Sequence, residues 1–461
     1  MENFINSQEI ENLLEKHKNP DKLYIREILD QTKDANHCGL DLEQMAALLQ
    51  NTDKELEHEI FATAKQIVND IYGDRRVLFA PLYVSSECKN SCSYCGFRCD
   101  NPDMKRKTLN DAELKEEVDI IERMGHKRLL MVWGESDYDA YKLADQIAVA
   151  YAVKTEPHGD IRRINVNLAP MSVADFKILK SGNIGTYQCF QETYHKPTYK
   201  QVHTKGVKRN FEYRLNVMNR ALEAGIEDFG IGALYGLYDY KFETMAVLKH
   251  TLYLEERYNV GPHTISFPRI EPAHGSELSY NPPYAMTDEQ LKRTVAILRL
   301  AVPYTGMIIS TRENAAMRNE LLKLGISQLS AASKVYPGGY KASLTNKHDE
   351  QQFTVGDDRS LEQVISGLME DGYIPSFCTG CYRLNRTGEH FQLLARQKFM
   401  SGHCTPNGIN TFAEYLMDYA PLAMQERGLA LIERMLPLCR KPVEARADVA
   451  AIIAGQRDLY R

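Results

Sequence analysis

The sequence lacks the features that would assign it to several common classes of protein. No apolar run reaches the ~20 residues that a membrane-spanning helix needs. No long basic run is present and the net charge is −6, so we expect no binding to nucleic acid. The N-terminal segment is charged and amphipathic, without the apolar region of a signal peptide. We therefore expect a cytoplasmic protein that does not associate with membranes.

The composition instead describes a globular protein with a sizeable core. Of the 461 residues, 43% are apolar and 26% are charged. The cysteines are grouped at metal-ligand spacings and are not spread evenly along the chain, as they would be in a disulfide scaffold. This grouping predicts reduced thiols, and oxygen sensitivity if iron–sulfur clusters are bound.

Apolar periodicity divides the chain into three regions. Residues 1–75 carry apolar residues at helical spacing and are predicted to form an N-terminal helical cap. Residues 76–340 alternate apolar runs with amphipathic stretches, and residues 341–461 are predicted to form a mostly helical, cysteine-bearing extension. The apolar runs are 77–84, 128–136, 164–168, 185–190, 228–234, 263–270, 305–310 and 328–333. This pattern predicts an α/β fold, a (β/α)8 TIM-type barrel. A doubly wound open sheet is the alternative, and the barrel is favoured because most polar motifs follow strand ends.

Three cysteines follow the first predicted strand at the spacing C-x3-C-x2-C. Cys88, Cys92 and Cys95 can hold three irons of a cubane 4Fe–4S cluster and leave the fourth iron without a protein ligand. A zinc site or a disulfide loop is the alternative, but no second ligand pair follows closely in the sequence. The spacing therefore predicts a cluster whose open iron binds a substrate or cofactor.

A second set of three cysteines lies in the C-terminal region at the spacing C-x2-C-x22-C. Cys378, Cys381 and Cys404 again indicate an open-iron cluster, because a structural zinc site would need a fourth ligand. The candidates for that fourth ligand are His390, His403 and Cys439. Two clusters at opposite ends of one barrel would give the protein two half-sites.

Ser310 and Arg312 close the seventh predicted strand. Residues two apart at a strand end face the same way, so this hydroxyl and this guanidinium can clamp a substrate carboxylate. A surface turn that leads into a helix is the alternative.

The first cysteine loop, with the sequence ECKNSCSYCGF, resembles the signature of the radical S-adenosylmethionine (SAM) enzymes. The resemblance implies that the open iron binds the amino and carboxylate groups of SAM, whose cleavage releases a 5′-deoxyadenosyl radical. It implies that Tyr94 lies beside the adenine and that Gly134 and Glu135 bind the SAM amino group, although Trp133 replaces the first glycine of the family's Gly-Gly-Glu motif. The other SAM-binding residues that it implies are Asn165, Asn167, Glu192 and Arg214.

Both cysteine sets, within CSYCGFR and CTGCYRLNRTGEHF, resemble those of the tyrosine lyases that mature FeFe-hydrogenase, and the resemblance covers nearly the whole chain. It implies that L-tyrosine is cleaved at its Cα–Cβ bond to p-cresol and dehydroglycine, with Ser310 and Arg312 on the substrate carboxylate. It also implies that an auxiliary 4Fe–4S cluster converts dehydroglycine to carbon monoxide and cyanide bound to iron. Other hydrogenase maturation proteins are the implied partners.

The auxiliary cluster of this family can carry a fifth, labile iron held by a histidine. His263, at the start of the sixth predicted strand, is the candidate ligand, and His274 beyond the end of that strand is the alternative. A strand-start position suits this role only if the imidazole faces the barrel end that holds the auxiliary cluster.

Two other functions remain open. A tyrosine lyase of thiazole synthesis shares the barrel and the first cysteine loop but stops at dehydroglycine and lacks the C-terminal cysteine set. A non-catalytic iron–sulfur carrier would not cleave SAM, and it would leave Glu135, Arg214 and Arg312 without a role.

Overall fold

Eight parallel strands form a closed barrel in the structure, a computed structural model that describes residues 2–34, 39–345, 351–396 and 400–461. The strands are β1 (Arg75–Ser85), β2 (Arg128–Trp133), β3 (Arg163–Asn167), β4 (Tyr187–Gln188), β5 (Phe229–Gly232), β6 (Thr264–Ser266), β7 (Gly306–Ile309) and β8 (Gln328–Ser330). Each strand pairs with the next, and β8 pairs with β1 to close the barrel. All eight apolar runs therefore contain the expected strands, and the predicted (β/α)8 fold is confirmed.

Among the described residues, two short antiparallel pairs of strands lie outside the barrel. Ser91–Cys92, within the first cysteine loop, pairs with His203–Lys205. Lys154–Thr155 pairs with Gly159–Asp160.

A ninth strand, β9 (Ile374–Ser376), lies beside β1 and belongs to the C-terminal region. Strand β1 is long enough to pair with three strands, β2, β8 and β9. Its first residues, Arg75–Val77, pair with β9, whereas Ala80–Ser85 pair with β2 farther along the same edge. Strand β9 therefore delivers the residues that follow it, including Cys378, to the N-terminal end of the barrel.

Eleven helices accompany the barrel strands within the described residues. They are α5 (Asp111–Arg123), α6 (Ala140–Ala152), α7 (Val173–Ser181), α8 (Lys196–Val202), α9 (Phe211–Leu215), α10 (Val217–Glu223), α11 (Tyr240–Tyr258), α12 (Glu277–Tyr280), α13 (Asp288–Ala301), α14 (Ala315–Leu322) and α15 (Gly339–Ser343). None of the described helices combines the length and apolar character needed to cross a bilayer.

Four helices precede the barrel in the part of the chain that the structure describes: α1 (Ser7–Lys16), α2 (Lys22–Thr32), α3 (Leu42–Gln50) and α4 (Lys54–Tyr72). An Asn or Asp side chain caps the N-terminus of each one and satisfies a backbone N–H that the helix itself cannot. The apolar residues predicted at helical spacing in α4 are buried, and α4 packs on α13. The predicted helical cap is therefore present.

The C-terminal region contains α16 (Leu361–Glu370), α17 (Gly380–Arg383), α18 (Gly388–Arg396), α19 (Met400–Asp418), α20 (Leu422–Met435) and α21 (Pro442–Ile453). Helix α19 contacts β1, β9 and α4, so it lies across the N-terminal end of β1. The extension is mostly helical, as expected. Because it packs directly against the barrel and α4, the division of the chain near residues 75 and 340 stays a prediction.

Candidate active site and second cysteine site

The first three cysteines line a cavity at the C-terminal end of the barrel. Cys88, Cys92 and Cys95 follow β1, and all three thiols are free of disulfides. The pairing of Ser91–Cys92 with His203–Lys205 fixes the loop over the barrel mouth. The structure therefore brings the three predicted cluster ligands to the end of the barrel where TIM-type enzymes hold their active sites.

The arrangement of these cysteines suits a cluster better than a single metal ion. Among the described residues, no three Cys, His, Asp or Glu side chains are grouped closely enough to hold one ion. A cubane places different demands on its ligands, because each thiolate binds a separate iron. Three free thiols facing one cavity meet those demands, whereas a tetrahedral zinc site would need four converging ligands.

Glu135 lies beside the cysteine loop and is held by three donors. Arg214 Nη1 donates to Glu135 Oε1 over 2.8 Å, and Asn90 Nδ2 donates to Oε2 over 3.1 Å. Lys208 Nζ lies 3.3 Å from Oε1. Gly134 permits this approach, since a Cβ there would lie 2.4 Å from the Glu87 carbonyl oxygen. The predicted Gly134–Glu135 motif therefore faces the cysteines.

The charges around Glu135 fix its ionisation. Partial burial would raise the pKa of Glu135, but Arg214 and Lys208 outweigh it and lower the pKa to about 2. Burial and Arg214 oppose the charged form of Lys208, yet Glu135 and Glu192 raise the pKa of Lys208 well above its ordinary value. Glu135, Lys208 and Arg214 are thus charged at neutral pH and form one network with Glu192.

Tyr94 is buried at the edge of this network. Its hydroxyl lies 2.8 Å from His203 Nε2, and His203 Nδ1 lies 2.9 Å from the Tyr199 carbonyl oxygen. A carbonyl accepts only, so Nδ1 carries the proton and Tyr94 donates to Nε2. Burial, helped by Lys208 and Arg214, lowers the pKa of His203 well below its usual range, which keeps the imidazole neutral. The Tyr94 ring is therefore fixed against the cavity.

The other predicted SAM-binding residues differ in position. Asn167 lines the cavity, and Glu192 lines it while pairing with Lys208 over 2.8 Å. Asn165 does not line it: its side chain lies one layer deeper, where Oδ1 accepts from Thr186 N over 2.9 Å. Both asparagines share a strand face, but only Asn167, nearer the strand end, reaches the cavity, so the role of Asn165 in binding SAM stays a prediction.

Ser310 and Arg312 line the opposite side of the same cavity. The Arg312 guanidinium stacks on the Phe353 ring, with Cζ 3.4 Å from the ring centroid. Among the described residues it has neither a hydrogen-bond acceptor nor an ion-pair partner. Burial lowers the pKa of Arg312, although Tyr83 and Cys95 oppose this effect. The pair thus presents an available hydroxyl and an available cation to the cavity, as the predicted carboxylate clamp requires.

The second cysteine set lies at the other end of the barrel. Cys378 follows β9, Cys381 lies in α17 and Cys404 is buried in α19. The Arg128 guanidinium donates to the Cys378 carbonyl oxygen, and Arg75 lies within electrostatic reach of all three thiols. The structure therefore assembles the three cysteines predicted for an auxiliary cluster.

The surroundings of the second set suit an anionic group. The Nε atoms of Arg75, Arg128 and Arg163 are buried, and none has a hydrogen-bond partner within the described parts of the chain. Buried donors without acceptors are uncommon and call for a ligand or ordered water. A cluster with thiolate ligands is an anion that these cations would stabilise.

His263 faces this same end of the barrel. Its Nε2 lies 3.5 Å from the hydroxyl of Tyr382, the residue after Cys381, and its Nδ1 lies 3.4 Å from Asp228 Oδ1. Burial lowers the pKa of His263 although Asp228 opposes it, so the imidazole is neutral, the form that binds iron. His274 is exposed near the first cysteine loop, with its Nδ1 4.0 Å from Asp103. It therefore lies at the barrel end of the first cysteine set, and the choice of ligand stays a prediction that these positions weigh toward His263.

Sequence reasoning missed several cavity residues. Lys208 looks like a solvated lysine in the basic stretch VKR, yet it is buried because the cysteine loop closes over it. Gln352 donates from Nε2 to Cys95 Sγ over 3.8 Å, and Tyr83 fixes this amide by donating to its Oε1 over 2.7 Å. Glu271 lines the rim. Only the position of Glu271, just beyond the sixth predicted strand, could have singled it out.

Family models match two parts of the chain. Residues 82–251 match the radical SAM superfamily, and residues 266–374 match the Biotin and Thiamin Synthesis associated domain. The first match contains the three cysteines of the first cysteine loop together with Glu135 and Arg214. The second contains Ser310 and Arg312.

Individual proteins extend this similarity. The chain is 33% identical to 2-iminoacetate synthase of Salmonella typhimurium over 352 residues, which cover 75% of this chain and 89% of that protein. A crystal structure of HydG, a maturase of the [FeFe]-hydrogenase, superposes with a TM-score of 0.95 at 44% identity, covering 99% of this chain and all of that one. HydG from Carboxydothermus hydrogenoformans superposes with a TM-score of 0.83 at 38% identity and covers 97% of this chain and 100% of that chain. The chain therefore belongs to the radical SAM superfamily and is a HydG-like member of it.

Proposed function

We propose that the protein is a radical SAM tyrosine lyase with a second, product-converting site. It cleaves the Cα–Cβ bond of L-tyrosine to p-cresol and dehydroglycine at the C-terminal end of the barrel. At the N-terminal end it converts dehydroglycine to carbon monoxide and cyanide on iron, for assembly of the FeFe-hydrogenase H-cluster. Other hydrogenase maturation proteins are its proposed partners.

The observation that carries this proposal is the pair of three-cysteine sites at opposite ends of one barrel. Cys88, Cys92 and Cys95 would hold a 4Fe–4S cluster that binds SAM, and Cys378, Cys381 and Cys404 an auxiliary 4Fe–4S cluster. When bound, the first cluster and SAM supply the electron and the 5′-deoxyadenosyl radical. The match with HydG supports the second site, because it extends over 99% of this chain.

The chain's own residues would bind and orient the two small molecules. Glu135 would accept from the SAM amino group, with Arg214 and Lys208 holding the carboxylate in place. Arg312 and Ser310 would bind the tyrosine carboxylate, since both face the cavity and the guanidinium is available there. The apolar side chains of β1 and β2 that line the cavity would hold the aromatic ring and exclude water.

At the second site, His263 would hold the fifth iron. Its neutral imidazole faces the N-terminal barrel end, near the residue that follows Cys381. Arg75 and Arg128 would balance the charge of the cluster.

A lyase that stops at dehydroglycine is the second candidate, and the similarity to 2-iminoacetate synthase favours it. An anaerobic assay separates the candidates. The protein is loaded with iron and sulfide, reduced with dithionite and supplied with SAM and L-tyrosine, and p-cresol and carbon monoxide are measured. Both products together support the proposal, and p-cresol alone supports the second candidate. Neither product, from protein shown to carry its clusters, contradicts both candidates and reopens the question of the substrate, with the radical SAM chemistry still standing.

A further inference from the structure

Within the described residues, six charged side chains line the cavity beside Cys88, Cys92 and Cys95 (the upper cavity), and four of them neutralise one another. Glu135, Glu192, Lys208 and Arg214 form the network described above. The remaining two are Glu271 and Arg312. Neither makes an ion pair, with the other or with any other described residue. The cavity thus keeps one unpaired anion and one unpaired cation on neighbouring strand ends.

Stacking fixes the Arg312 guanidinium, and hydrogen bonds fix the backbone on either side of Glu271. Stacking on Phe353 fixes the Arg312 guanidinium, 3.4 Å from the ring centroid. The backbone around Glu271 is tied on both sides: Ile270 N donates to the Tyr235 carbonyl over 3.0 Å, and Thr354 N donates to the Pro272 carbonyl over 2.8 Å. The two groups are thus anchored within electrostatic reach of each other without forming an ion pair.

The acidic neighbour of Glu271 is already neutralised. Glu313 pairs with Arg269, whose Nε donates to its Oε1 over 2.9 Å. Opposite charges that are partly desolvated but unpaired are costly, unless a ligand completes them. A ligand with a carboxylate and an ammonium group only a few bonds apart would complete both, and this description fits the α-carbon end of an amino acid.

We propose that Glu271 binds the ammonium group of the amino-acid substrate and accepts its proton, while Arg312 binds the carboxylate. This proposal rests on the proposed function. One proton passes from the ammonium nitrogen to a Glu271 oxygen, which leaves a neutral amine and a carboxylic acid. Only the neutral amine has a nitrogen lone pair to stabilise the radical that forms when a hydrogen atom is removed from it. Partial burial and Glu313 raise the pKa of Glu271, which makes it a better proton acceptor than a solvated glutamate.

Ligand pairs test the proposal on the cluster-loaded, unreduced enzyme with SAM, in which no turnover occurs. Dissociation constants are measured by anaerobic calorimetry for L-tyrosine and 3-(4-hydroxyphenyl)propanoate, which lacks the amino group. We expect Glu271→Gln to weaken tyrosine binding about 10- to 100-fold and to leave binding of the des-amino ligand within about twofold. Glu277→Gln, six residues along and exposed, is the matched control and should change neither constant.

Three outcomes overturn the proposal. Equal weakening of both ligands would assign Glu271 to general packing. Unchanged binding of both would remove it from the site. If Glu271→Gln no longer bound tyrosine more tightly than phenylalanine, Glu271 would lie at the phenol instead. As a second readout, kcat/KM for tyrosine should fall toward acid pH as Glu271 becomes protonated. The residual activity of Glu271→Gln should not show this fall. An identical fall in the variant overturns the proton transfer.

The same experiment separates this proposal from the proposed function. L-Tryptophan and 3-(indol-3-yl)propanoate are measured beside the tyrosine pair. If tyrosine does not bind but tryptophan binds and loses affinity in Glu271→Gln, the tyrosine assignment fails and the role of Glu271 stands. If tyrosine binds equally well to both proteins, the role of Glu271 fails and the proposed function stands.

Discussion

Arg214 Nη1 donates to Glu135 Oε1 over 2.8 Å, joining the last turn of α9 to the segment just after β2 at the rim of the upper cavity. The sequence predicted both residues as direct contacts of SAM. In the structure their strongest contacts are with each other, with the Phe190 carbonyl on Arg214 Nε and with Lys208 beside them. Their charges are thus arranged before any ligand binds, which lowers the cost of ordering the site.

Glu135→Gln should destabilise the protein equally at pH 5 and pH 8. We expect a loss on the order of 2 kcal/mol in the free energy of unfolding, because Arg214 and Lys208 lose a charged acceptor. The pKa of Glu135 in the folded protein is about 2, below the ordinary 4.5. Its contribution is therefore complete above pH 4.5 and is lost only as the pH falls toward 2. Anaerobic urea unfolding at both pH values measures the loss.

Glu116→Gln is the control for this prediction. Glu116 pairs with Lys341 over 2.7 Å on the exposed surface, where an ion pair contributes about 0–1 kcal/mol. A deficit in Glu135→Gln that is no larger than that of Glu116→Gln would contradict the account of the network.

Cys92→Ala should abolish SAM cleavage and p-cresol formation together. The variant removes one of the three thiols at the upper cavity, and without its cluster no radical forms. Chromatographic detection of 5′-deoxyadenosine and p-cresol measures both losses. Cys99→Ala is the control: Cys99 is close to the same loop but is not assigned as a ligand, so this variant should form both products. Appreciable p-cresol from Cys92→Ala would contradict the assignment of the loop as the cluster site.

Gln352→Leu should lower the reduction potential of the first cluster. The Gln352 amide is the donor to Cys95 Sγ, at 3.8 Å, and such hydrogen bonds stabilise the more negative, reduced cluster. We expect a shift on the order of tens of millivolts, from a hydrogen bond worth about 1 kcal/mol. An anaerobic redox titration followed by electron paramagnetic resonance measures it. Tyr83→Phe, which releases the amide, should shift the potential in the same direction, and an unchanged potential in both variants would exclude this tuning.

The barrel could be predicted from the sequence because each strand leaves a local signal, an apolar run between amphipathic stretches. Strand β9 could not, since Ile374–Ser376 is short, contains a proline and exists only through its pairing with Arg75–Val77. The same difference between local signals and contacts from distant segments applies in the site. The cysteine spacings are local, so each set could be recognised as a group from the sequence, whereas the burial of Lys208 and the depth of Asn165 depend on chain segments far apart in sequence.

The position of His263 shows a further limit of sequence reasoning. A histidine at a strand start gives no indication of which barrel end its ring faces, because that depends on its neighbours Asp228 and Tyr382 from distant segments. The choice between His263 and His274 was therefore left open by the sequence, and their positions at opposite barrel ends favour His263.

His263→Ala should suppress carbon monoxide formation at least about tenfold and leave p-cresol formation within about twofold. The imidazole lies at the barrel end that holds the second cysteine set, remote from the upper cavity. Iron analysis should show the loss of about one iron per protein, since only the proposed fifth iron depends on this ligand. His274→Ala, exposed at the other end, is the control. Normal iron content and normal carbon monoxide in His263→Ala would contradict the assignment.

The division of labour between the two barrel ends is the central claim, and one variant tests it most directly. Cys378 and Cys381 are replaced together by serine, and p-cresol and carbon monoxide are measured from reduced, cluster-loaded protein with SAM and L-tyrosine. Cys439→Ser, a buried cysteine of the same region outside the set, is the control. We predict p-cresol at the parent rate and strongly suppressed carbon monoxide. Carbon monoxide at the parent rate would contradict the account.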